Sequence, residues 1–299
     1  VTINSITVQR TGLVADGAFS SISLLDENGI QIGVTRTFNS NHQTTVGDPF
    51  VVKAGSSRTL TVAGNMPASG SSYSGQVASL TVVGINTSAT VSGSLPITGA
   101  AQTINSSLTL GTATPARGSF DPNAAVTKEI GTTGYTFSSV KVTAGATEQI
   151  ILNSIRWNQS GSAGPTDIAN VSVSVGGTAY PTTVSSDGKY YTANFGSGIV
   201  IDQGISKEIS IKGDIVSGST RTIAFDLYKN TDLSVTGGTY GYGITPASSG
   251  TGFSTTAPWY DASVVTISAG TVSTISQSNT VPAQNIAVLA PNQPLGGFD

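Results

Sequence analysis

The sequence predicts an all-β protein made of two tandem Greek-key, immunoglobulin-like β-sandwich domains, with jelly rolls as the alternative and essentially no helix. Three observations carry this prediction: the chain nearly repeats itself at a fixed spacing, apolar residues alternate with polar ones over short segments, and turn residues separate those segments. A fixed-period repeat indicates a fold built from copies of one module. Alternation with period two is typical of a half-buried strand.

The repeat has a spacing of 149 residues in a chain of 299. Asn4-Ser5-Ile6 returns as Asn153-Ser154-Ile155, and Gly64 returns as Gly213. Apolar positions return as well, so that Val62 and Ile211 occupy the same place in the two copies. The register drifts and recovers between these positions, as expected when loops vary in length while strands keep their place.

Alternating segments rich in Val, Ile, Thr and Tyr recur along the whole chain. In order, they are residues 2–8, 19–25, 59–62, 79–83, 89–94, 107–110, 135–142, 149–156, 170–175, 189–193, 208–211, 220–227 and 263–267. Residues that tolerate positive φ lie between them, as at Asn28-Gly29, Gly176-Gly177 and Asp187-Gly188. About seven strands per copy, spaced at about 8 to 12 residues, favour a sandwich.

The repeat predicts a first sandwich at residues 1–125, a second at 126–283, and a linker with the start of a further strand at 284–299. The second copy opens with a hairpin whose first arm is residues 135–142, and no such arm precedes the first copy. Residues 279–299 resemble residues 120–137, with Phe298 in the place of Phe137. We therefore expect the first sandwich to receive its opening strand either from preceding residues of a longer chain or from the C-terminal segment of another subunit.

Composition narrows the functional classes. Charged residues make up 10% of the chain, with a formal net charge of −3 and no basic run, which argues against a nucleic-acid partner. The lack of cysteine excludes disulfides and thiolate metal sites. No stretch has the 18 or so apolar residues of a membrane helix, so no membrane insertion is expected. A surface rich in Ser, Thr, Asn and Gly suits a secreted, extracellular protein.

The sequence contains no evident catalytic constellation, and no enzymatic activity is predicted. His42 is the only histidine and lies in a polar turn, which rules out a multi-histidine metal site. The serines lack the contexts of the common serine nucleophiles. Glycosidases need paired carboxylates, and the candidates here, such as Asp226 with Asp232, are scattered on turns or strand ends.

Two turns carry clustered oxygen atoms of the kind that calcium prefers. One contains Asp26 and Asn28, and the other contains Asp121 and Asn123. Neither has the spacing of a complete calcium-binding loop, so turns held by local hydrogen bonds are the alternative. No cofactor is required, and any bound calcium is expected between domains.

The sequence also contains one long loop that could bind a ligand and four candidate glycosylation sites. Residues 236–261 form a glycine-rich loop in which Tyr240, Tyr242 and Trp259 are candidates for an exposed ligand-binding group. The alternative is that this loop simply covers one end of a sheet or touches the neighbouring domain. The sequons, which mark candidate glycosylation sites, are at Asn86, Asn105, Asn158 and Asn170.

The order of these motifs resembles a known class of proteins. The segments VTINSITVQRTG, FSSISLLDENGIQIG and VVKAGSSRTLTVAGNM, followed by VPAQNIAVLAPNQPLGGFD, are similar to tandem β-sandwich repeat modules of exported bacterial surface-layer-like cell-envelope proteins. The resemblance covers most of both copies and carries no catalytic residue. It implies a structural role at the cell surface, often with glycosylation or calcium.

Two functions follow from these observations. The first is a structural cell-surface protein whose sandwiches self-assemble into a surface layer or filament. The second is an adhesin or glycan-binding stalk, in which the 236–261 loop binds cell-surface glycans. A lattice protein is expected to form ordered sheets or fibres at high concentration, whereas a stalk is expected to stay monodisperse.

Overall fold

The fold is all-β, which confirms the predicted fold class. The computed structural model describes residues 1–67, 70–247, 250–270 and 274–299. Within these ranges the helices are short 3₁₀ turns at Asp16–Ala18, Gly70–Tyr73 and Asn230–Asp232. None of the described helices is long and apolar enough to cross a membrane.

The first half of the chain forms two sheets that pack face to face, which we call the first unit. Its strands are β1 (Thr2–Gly12), β2 (Ser21–Leu25), β3 (Gln31–Arg36), β4 (Gln43–Val46), β5 (Phe50–Val51), β6 (Thr61–Asn65), β7 (Val77–Thr87), β8 (Ile97–Thr98) and β9 (Gln102–Thr103). One sheet has the order β4-β1-β7-β8, with β5 beside β1 and β9 beside β7, and the other has the order β3-β2-β6. Ile6, Val8 and Val46 of the first sheet meet Ile22 and Leu24 of the second in one core.

The second unit contains the later strands. They are β10 (Ala113–Arg117), β11 (Val126–Glu129), β12 (Tyr135–Ala144), β13 (Ile150–Gln159), β14 (Ile168–Val175), β15 (Thr178–Val184), β16 (Tyr190–Ile201), β17 (Ser206–Ile215), β18 (Thr222–Ile223), β19 (Phe225–Asp226), β20 (Leu233–Gly237), β21 (Gly243–Ile244) and β22 (Val265–Ser268). One long sheet has the order β10-β12-β17-β14-β15-β16-β13-β20-β21, with β19 also beside β13. A smaller sheet has the order β11-β22-β18, in which β11 runs parallel to β22.

The long sheet folds back on itself into a nearly closed, barrel-like layer. The first part of β15 pairs with β14 and the last part with β16, and the change of partner falls between Pro181 and Thr182. Proline has no N–H to donate, so it suits a position where one ladder ends. Beyond β21, the N–H of Ala247 donates to the carbonyl oxygen of Ala113 at 3.1 Å. This hydrogen bond links the two ends of the sheet.

Aromatic side chains fill the core of the second unit. Trp157, Tyr191, Phe137 and Phe225 are each at most 2% exposed. The Tyr191 and Phe225 rings meet edge to face at 5.2 Å, and the Phe137 ring lies 5.4 Å from that of Phe225. Such ring pairs stabilise a core beyond the burial of their area. Since Phe137 belongs to β12, that opening strand is part of the core.

The two units share an irregularity at equivalent positions. The register of β1 against β7 shifts around Asn4, and the register of β13 against β16 and β20 shifts around Asn153. A β-bulge of this kind bends the strand and redirects the side chains that follow it. Asn4 and Asn153 are 149 residues apart, so the sequence repeat is also a repeat of backbone structure.

Some local expectations differ from the structure. Residues 89–94 and 107–110 alternate like strands but form none, and the short strands β8 and β9 lie beside β7 instead. β10 precedes the predicted boundary between residues 125 and 126 but pairs with β12. The sheet of the second unit therefore begins before that boundary.

Candidate interaction surfaces

The turn between β2 and β3 is the point at which the first unit reaches the second. It contains Asp26 and Asn28, two of the residues proposed as metal ligands. Oδ1 of Asp26 accepts hydrogen bonds from the backbone N–H groups of Asn28 and Ile30, both at 2.9 Å. This pattern fixes the shape of the turn. Burial raises the pKa of Asp26, although the two backbone hydrogen bonds act in the opposite direction.

Asn28 lies directly against the second unit. Its backbone carbonyl oxygen accepts a hydrogen bond from the hydroxyl of Ser154 at 2.6 Å, and its side-chain oxygen accepts one from Nδ2 of Asn194 at 2.7 Å. Nearby, Nζ of Lys229 donates to the carbonyl oxygen of Gly33 at 3.0 Å. We call this set of contacts the unit junction.

A buried ion pair supports the surface on which the turn docks. Nε of Arg156 donates to Oδ1 of Asp232 at 2.8 Å, and the backbone N–H of Lys229 donates to Oδ2 at the same distance. The Asp232 side chain is fully buried, and the Arg156 guanidinium lies 5.0 Å from the centre of the Tyr190 ring. Removal of the Arg156 guanidinium would leave the buried Asp232 carboxylate without its charged partner, which is strongly destabilising.

Sequence reasoning found the turn but missed its partners. Ser154 was noted only as part of the repeat, and neither Asn194 nor Lys229 was singled out. The 149-residue spacing gives no signal for Asn194, because the register of the repeat has drifted here. Ile6 lies opposite Val46 and Ile155 lies opposite Ala193, so Gly47 takes the place of Asn194 in the first unit. Alternation within a strand does not show which element will pack on its outer face.

The other residues considered for catalysis have separate partners. Asp226 accepts hydrogen bonds from the Ser160 hydroxyl at 2.6 Å and from the backbone N–H of Ala262 at 2.8 Å. His42 lies in an exposed turn, with Nδ1 2.7 Å from Oδ2 of Asp16. Asp226 and His42 therefore have different neighbours and are not brought together by these contacts. The lack of enzymatic activity stays a prediction.

The second turn proposed for calcium holds a buried carboxylate. Asp121 accepts hydrogen bonds from the Tyr260 hydroxyl at 2.7 Å and from the backbone N–H of Ser139 at 3.2 Å. The N–H of Asn123 donates to Oδ1 of Asp121 at 2.9 Å, and the side-chain oxygen of Asn123 accepts from Arg117. Burial, together with the hydrogen bond to Asp121, raises the pKa of Tyr260. The turn therefore fastens the segment before β11 to the core.

Calcium binding at these two turns stays a prediction. Oxygen atoms of Asp26, Asn28, Asp121 and Asn123 accept hydrogen bonds from protein donors. In the part of the chain that the structure describes, no group of three or more His, Cys, Asp or Glu side chains is placed to hold a metal ion. Protein contacts account for the positions of these oxygen atoms.

The three aromatic residues proposed for ligand binding do not form one exposed group. Tyr240 and Tyr242 are about half exposed, and their rings stack at 6.1 Å with 23° between their planes. Trp259 is only 8% exposed and packs edge to face on Phe253 at 4.9 Å. The expectation that Trp259 is exposed is wrong, because the backbone around Tyr260 pairs with the chain just after β19 and draws Trp259 inward. Residues 248 and 249 of this loop lie outside the described residues.

The four sequons differ in accessibility. Asn86 and Asn105 are exposed. Asn170 is exposed, but its Nδ2, to which a glycan would be attached, donates to Asp214 at 2.7 Å. Asn158 lies within β13 and is 9% exposed, so a glycan there would displace the neighbouring strands. Occupancy of the exposed sequons stays a prediction.

One strand edge of the first unit is unpaired along the described residues. β6 pairs with β2 on one side, and no described strand pairs with its other side. Its counterpart in the repeat is β17, which pairs with β14 on one side and with β12 on the other. A free strand edge presents backbone N–H and C=O groups that can pair with another chain. We call this side of β6 the acceptor edge.

Residues 274–299, which we call the C-terminal segment, contain a short antiparallel pairing. Residues 276–278 and 297–299 form antiparallel backbone hydrogen bonds around a bridge between Gln277 and Phe298. β10 and β12 pair in the same antiparallel sense. Several large apolar side chains of the segment are more than half exposed. They are Ile275, Ile286, Val288, Leu289, Leu295 and Phe298.

No protein-family model matches this sequence, and no curated protein matches it. Among solved structures, the full-length major pilin RrgB from Streptococcus pneumoniae aligns with 13% identity over 78% of this chain, with a TM-score of 0.21. The alignment covers 42% of that pilin, so this chain spans less than half of its length. A TM-score this low carries no conclusion about a shared fold or function.

Proposed function

We propose that this chain is a structural protein of the cell surface whose β-sandwich units assemble with copies of itself into a surface layer or filament. The observation that carries this proposal is the unit junction, where the β2–β3 turn docks through Asn28 on Ser154 and Asn194. Directional hydrogen bonds between neighbouring units hold a tandem array in one geometry, whereas domains without them are expected to move relative to each other.

Each side of the unit junction has a counterpart elsewhere in the repeat. The turn with Gly176 and Gly177, between β14 and β15, takes the place of the β2–β3 turn in the second unit, and it is exposed. Ser5 of β1 takes the place of Ser154, and it is partly exposed. A contact between copies through the Ser5 hydroxyl and a backbone carbonyl of this turn would extend the array, without an equivalent of the amide pair between Asn28 and Asn194.

The composition supports an exterior location. Only 10% of the residues are charged, and the surface polarity comes mainly from Ser, Thr, Asn and Gly. A protein without cysteine also keeps its stability independent of the redox conditions outside the cell. Both features suit a secreted structural protein.

Electron microscopy of the purified, concentrated chain tests this function. We expect ordered sheets or fibres with a repeat that matches the length of the two-unit chain. A chain that stays monodisperse at every concentration would contradict the proposal.

The stacked pair of Tyr240 and Tyr242 favours a second candidate function, glycan binding by a stalk. Exposed aromatic rings offer flat apolar faces on which sugar rings can pack. If this function is correct, binding to a glycan array is lost in the Tyr240→Ala and Tyr242→Ala variants, whereas the chain itself remains monomeric. Tyr228→Ala is a suitable control, since Tyr228 is 40% exposed and lies outside the 236–261 loop.

A further inference from the structure

The second unit shows what kind of strand fits beside the acceptor edge. β12 pairs antiparallel with β17, with Thr136 opposite Lys212 and Ser138 opposite Ile211. Phe137 lies at the register shift between these pairs, and its side chain is fully buried. The opening strand therefore satisfies the backbone of β17 and also adds an aromatic side chain to the core.

Among the described residues, no strand makes this contribution to the first unit. In the second unit, β12 supplies Phe137, Val140 and Val142 to the core, each fully buried. In the first unit, several apolar side chains around the core remain only partly buried. Those near β6 are Phe19, Phe38, Leu60 and Val62. A strand added to the acceptor edge would remove part of their surface from water, which is favourable.

The C-terminal segment carries the counterpart of the first residues of β12. Phe298 takes the place of Phe137 in the sequence, but it is 81% exposed, whereas Phe137 is 0% exposed. Residues 296–299 are the part of the segment that corresponds to β12, and Phe298 is the large apolar side chain among them. Burial of an exposed aromatic side chain is favourable. The C-terminal segment of a second copy can therefore supply both a strand and an aromatic side chain.

We propose that the C-terminal segment of one copy pairs with the acceptor edge of a second copy and completes its first unit. The register of β12 on β17, transferred through the repeat, places Gly297 opposite Ala63 and Asp299 opposite Val62. The two strands run antiparallel, as β12 and β17 do. This inference rests on the proposed function, which is self-assembly, and it identifies the binding partner as a second copy of this chain.

Phe298 provides the apolar anchor of the contact. At the register shift it enters the edge of the first unit beside Phe19, whose ring packs closely against Gly64. The corresponding glycine of the second unit, Gly213, lies in the same way beside the Phe137 ring. In the first unit the Phe19 ring already takes the place beside this glycine, so Phe298 packs next to the Phe19 ring rather than against Gly64 itself.

The geometry of the contact predicts an open assembly. The donor is the C-terminal segment and the acceptor is β6, so the two surfaces of the interface are different. Such a heterologous contact continues from copy to copy unless the rotation closes a ring. A filament of chains joined end to end is the expected product.

Single cysteines test the register, because the 299 residues contain none. The Val62→Cys variant of the 299-residue chain is mixed with the Asp299→Cys variant under mild oxidation, and peptide mass spectrometry identifies the mixed disulfide. The control acceptor is Val34→Cys, which is 48% exposed and lies on β3, the opposite edge of the same sheet. We expect the Val62→Cys mixture to give at least about tenfold more cross-link, since disulfides need Cα atoms within about 7 Å. Equal yields from the two mixtures would overturn the proposal.

A side-chain variant tests the anchor. Phe298→Ala removes a side chain that is 81% exposed in the single chain, so its folding should be unchanged. Sedimentation velocity of the full chain should show association weakened by about tenfold or more. The matched control is Leu13→Ala, which removes an apolar side chain that is 92% exposed but lies outside both surfaces. Association of Phe298→Ala as tight as that of the parent chain would overturn the proposal.

The outcomes also separate this contact from the proposed function. Ordered assemblies that persist in Phe298→Ala, without the specific cross-link, would keep the proposed function and overturn the contact. Monomers under all conditions would overturn both. Binding of a synthetic peptide of residues 135–145 to a chain that stays monomeric would show that the edge accepts a different strand, and it would overturn the role of a second copy.

Discussion

The hydroxyl of Ser154 donates a 2.6 Å hydrogen bond to the backbone carbonyl oxygen of Asn28, 126 positions away in the chain. The acceptor is a main-chain atom, so this hydrogen bond depends on the shape of the β2–β3 turn, whereas the Asn28 side chain accepts a separate hydrogen bond from Asn194. Ser154 directly follows the bulge of β13. The unit junction thus joins a turn and a bulge, two places where a strand departs from regular geometry.

Substitution of Gly29 should weaken the unit junction. Gly29 has a φ of +74°, and a Cβ there would lie 2.6 Å from Oγ of Ser234. Gly55 has a φ of +72° and nothing within 4 Å of its Cβ position, so it provides a matched control. Gly55→Ala should cost about 1–2 kcal/mol in unfolding free energy from backbone strain alone. Gly29→Ala should cost about 0.5–1.5 kcal/mol more, as measured by denaturant unfolding, because the Ser234 hydroxyl must rotate away from the new methyl group.

The double variant identifies the source of the extra cost. Ser234→Ala removes the hydroxyl that the new methyl group would meet, so Gly29→Ala in that background should fall back toward the cost of Gly55→Ala. Equal costs for Gly29→Ala and Gly55→Ala in the natural background would show that the turn does not press on the second unit.

Glu148 should make the protein sensitive to acid. Its carboxylate accepts hydrogen bonds from the backbone N–H groups of Gly111 at 2.7 Å and Thr239 at 2.8 Å, and these lower its pKa. Because the folded state then binds fewer protons than the unfolded state, this stabilisation is complete above the unfolded pKa and is lost as pH falls through the folded pKa. Glu148→Gln should lower the melting temperature by a few degrees at pH 7, and the difference should shrink toward pH 3.

The exposed residue Glu129 of β11 supplies the control for this experiment. At each pH between 7 and 3, the melting temperature of Glu129→Gln should be nearly the same as that of the parent chain. If the difference between the parent chain and Glu148→Gln stays constant over that range, the carboxylate is not the acid-sensitive group.

The local structure of this protein can be predicted well from the sequence, because the same local features occur in both copies of the repeat. Asn4 and Asn153 mark equivalent bulges, and the alternation around them gives the strands β1 and β13. The turn at Asp26 is equally local, since the carboxylate bonds with the N–H groups two and four residues later. Features of this kind depend on neighbours in the chain, which the sequence displays directly.

Pairings between distant segments are not displayed in this way. Strand β11 was not predicted, and alternation also does not show that it lies parallel to β22, with Val126 opposite Val265. Glycine-rich composition around Trp259 suggested an exposed loop, whereas its position depends on backbone pairing with the chain after β19. The partners of Asn28 at the unit junction were missed for the same reason.

Trp259 and Tyr242 belong to the same loop but should respond differently to truncation. Trp259→Ala removes a side chain that is 8% exposed and should cost about 3–5 kcal/mol in unfolding free energy. Tyr242→Ala removes one that is 51% exposed and should cost less than about 1 kcal/mol. Thermal or denaturant unfolding of the two variants measures the difference, and similar losses would mean that Trp259 is not a core residue.

The hydrogen bond between the Tyr260 hydroxyl and Asp121 should stabilise the second unit. Removal of that hydroxyl group tests this expectation. Tyr260→Phe keeps the buried ring but deletes the hydroxyl that donates to the Asp121 carboxylate at 2.7 Å. Hydrogen bonds to charged groups contribute about 1.5–3 kcal/mol, so a loss of that size in the unfolding free energy is expected. Tyr240→Phe is the matched control, because the Tyr240 side chain is 46% exposed, and its effect should be within about 0.5 kcal/mol. A loss for Tyr260→Phe no larger than that of the control would mean that water or another donor replaces the hydroxyl, and that the turn at Asp121 is not fastened to the core by this contact.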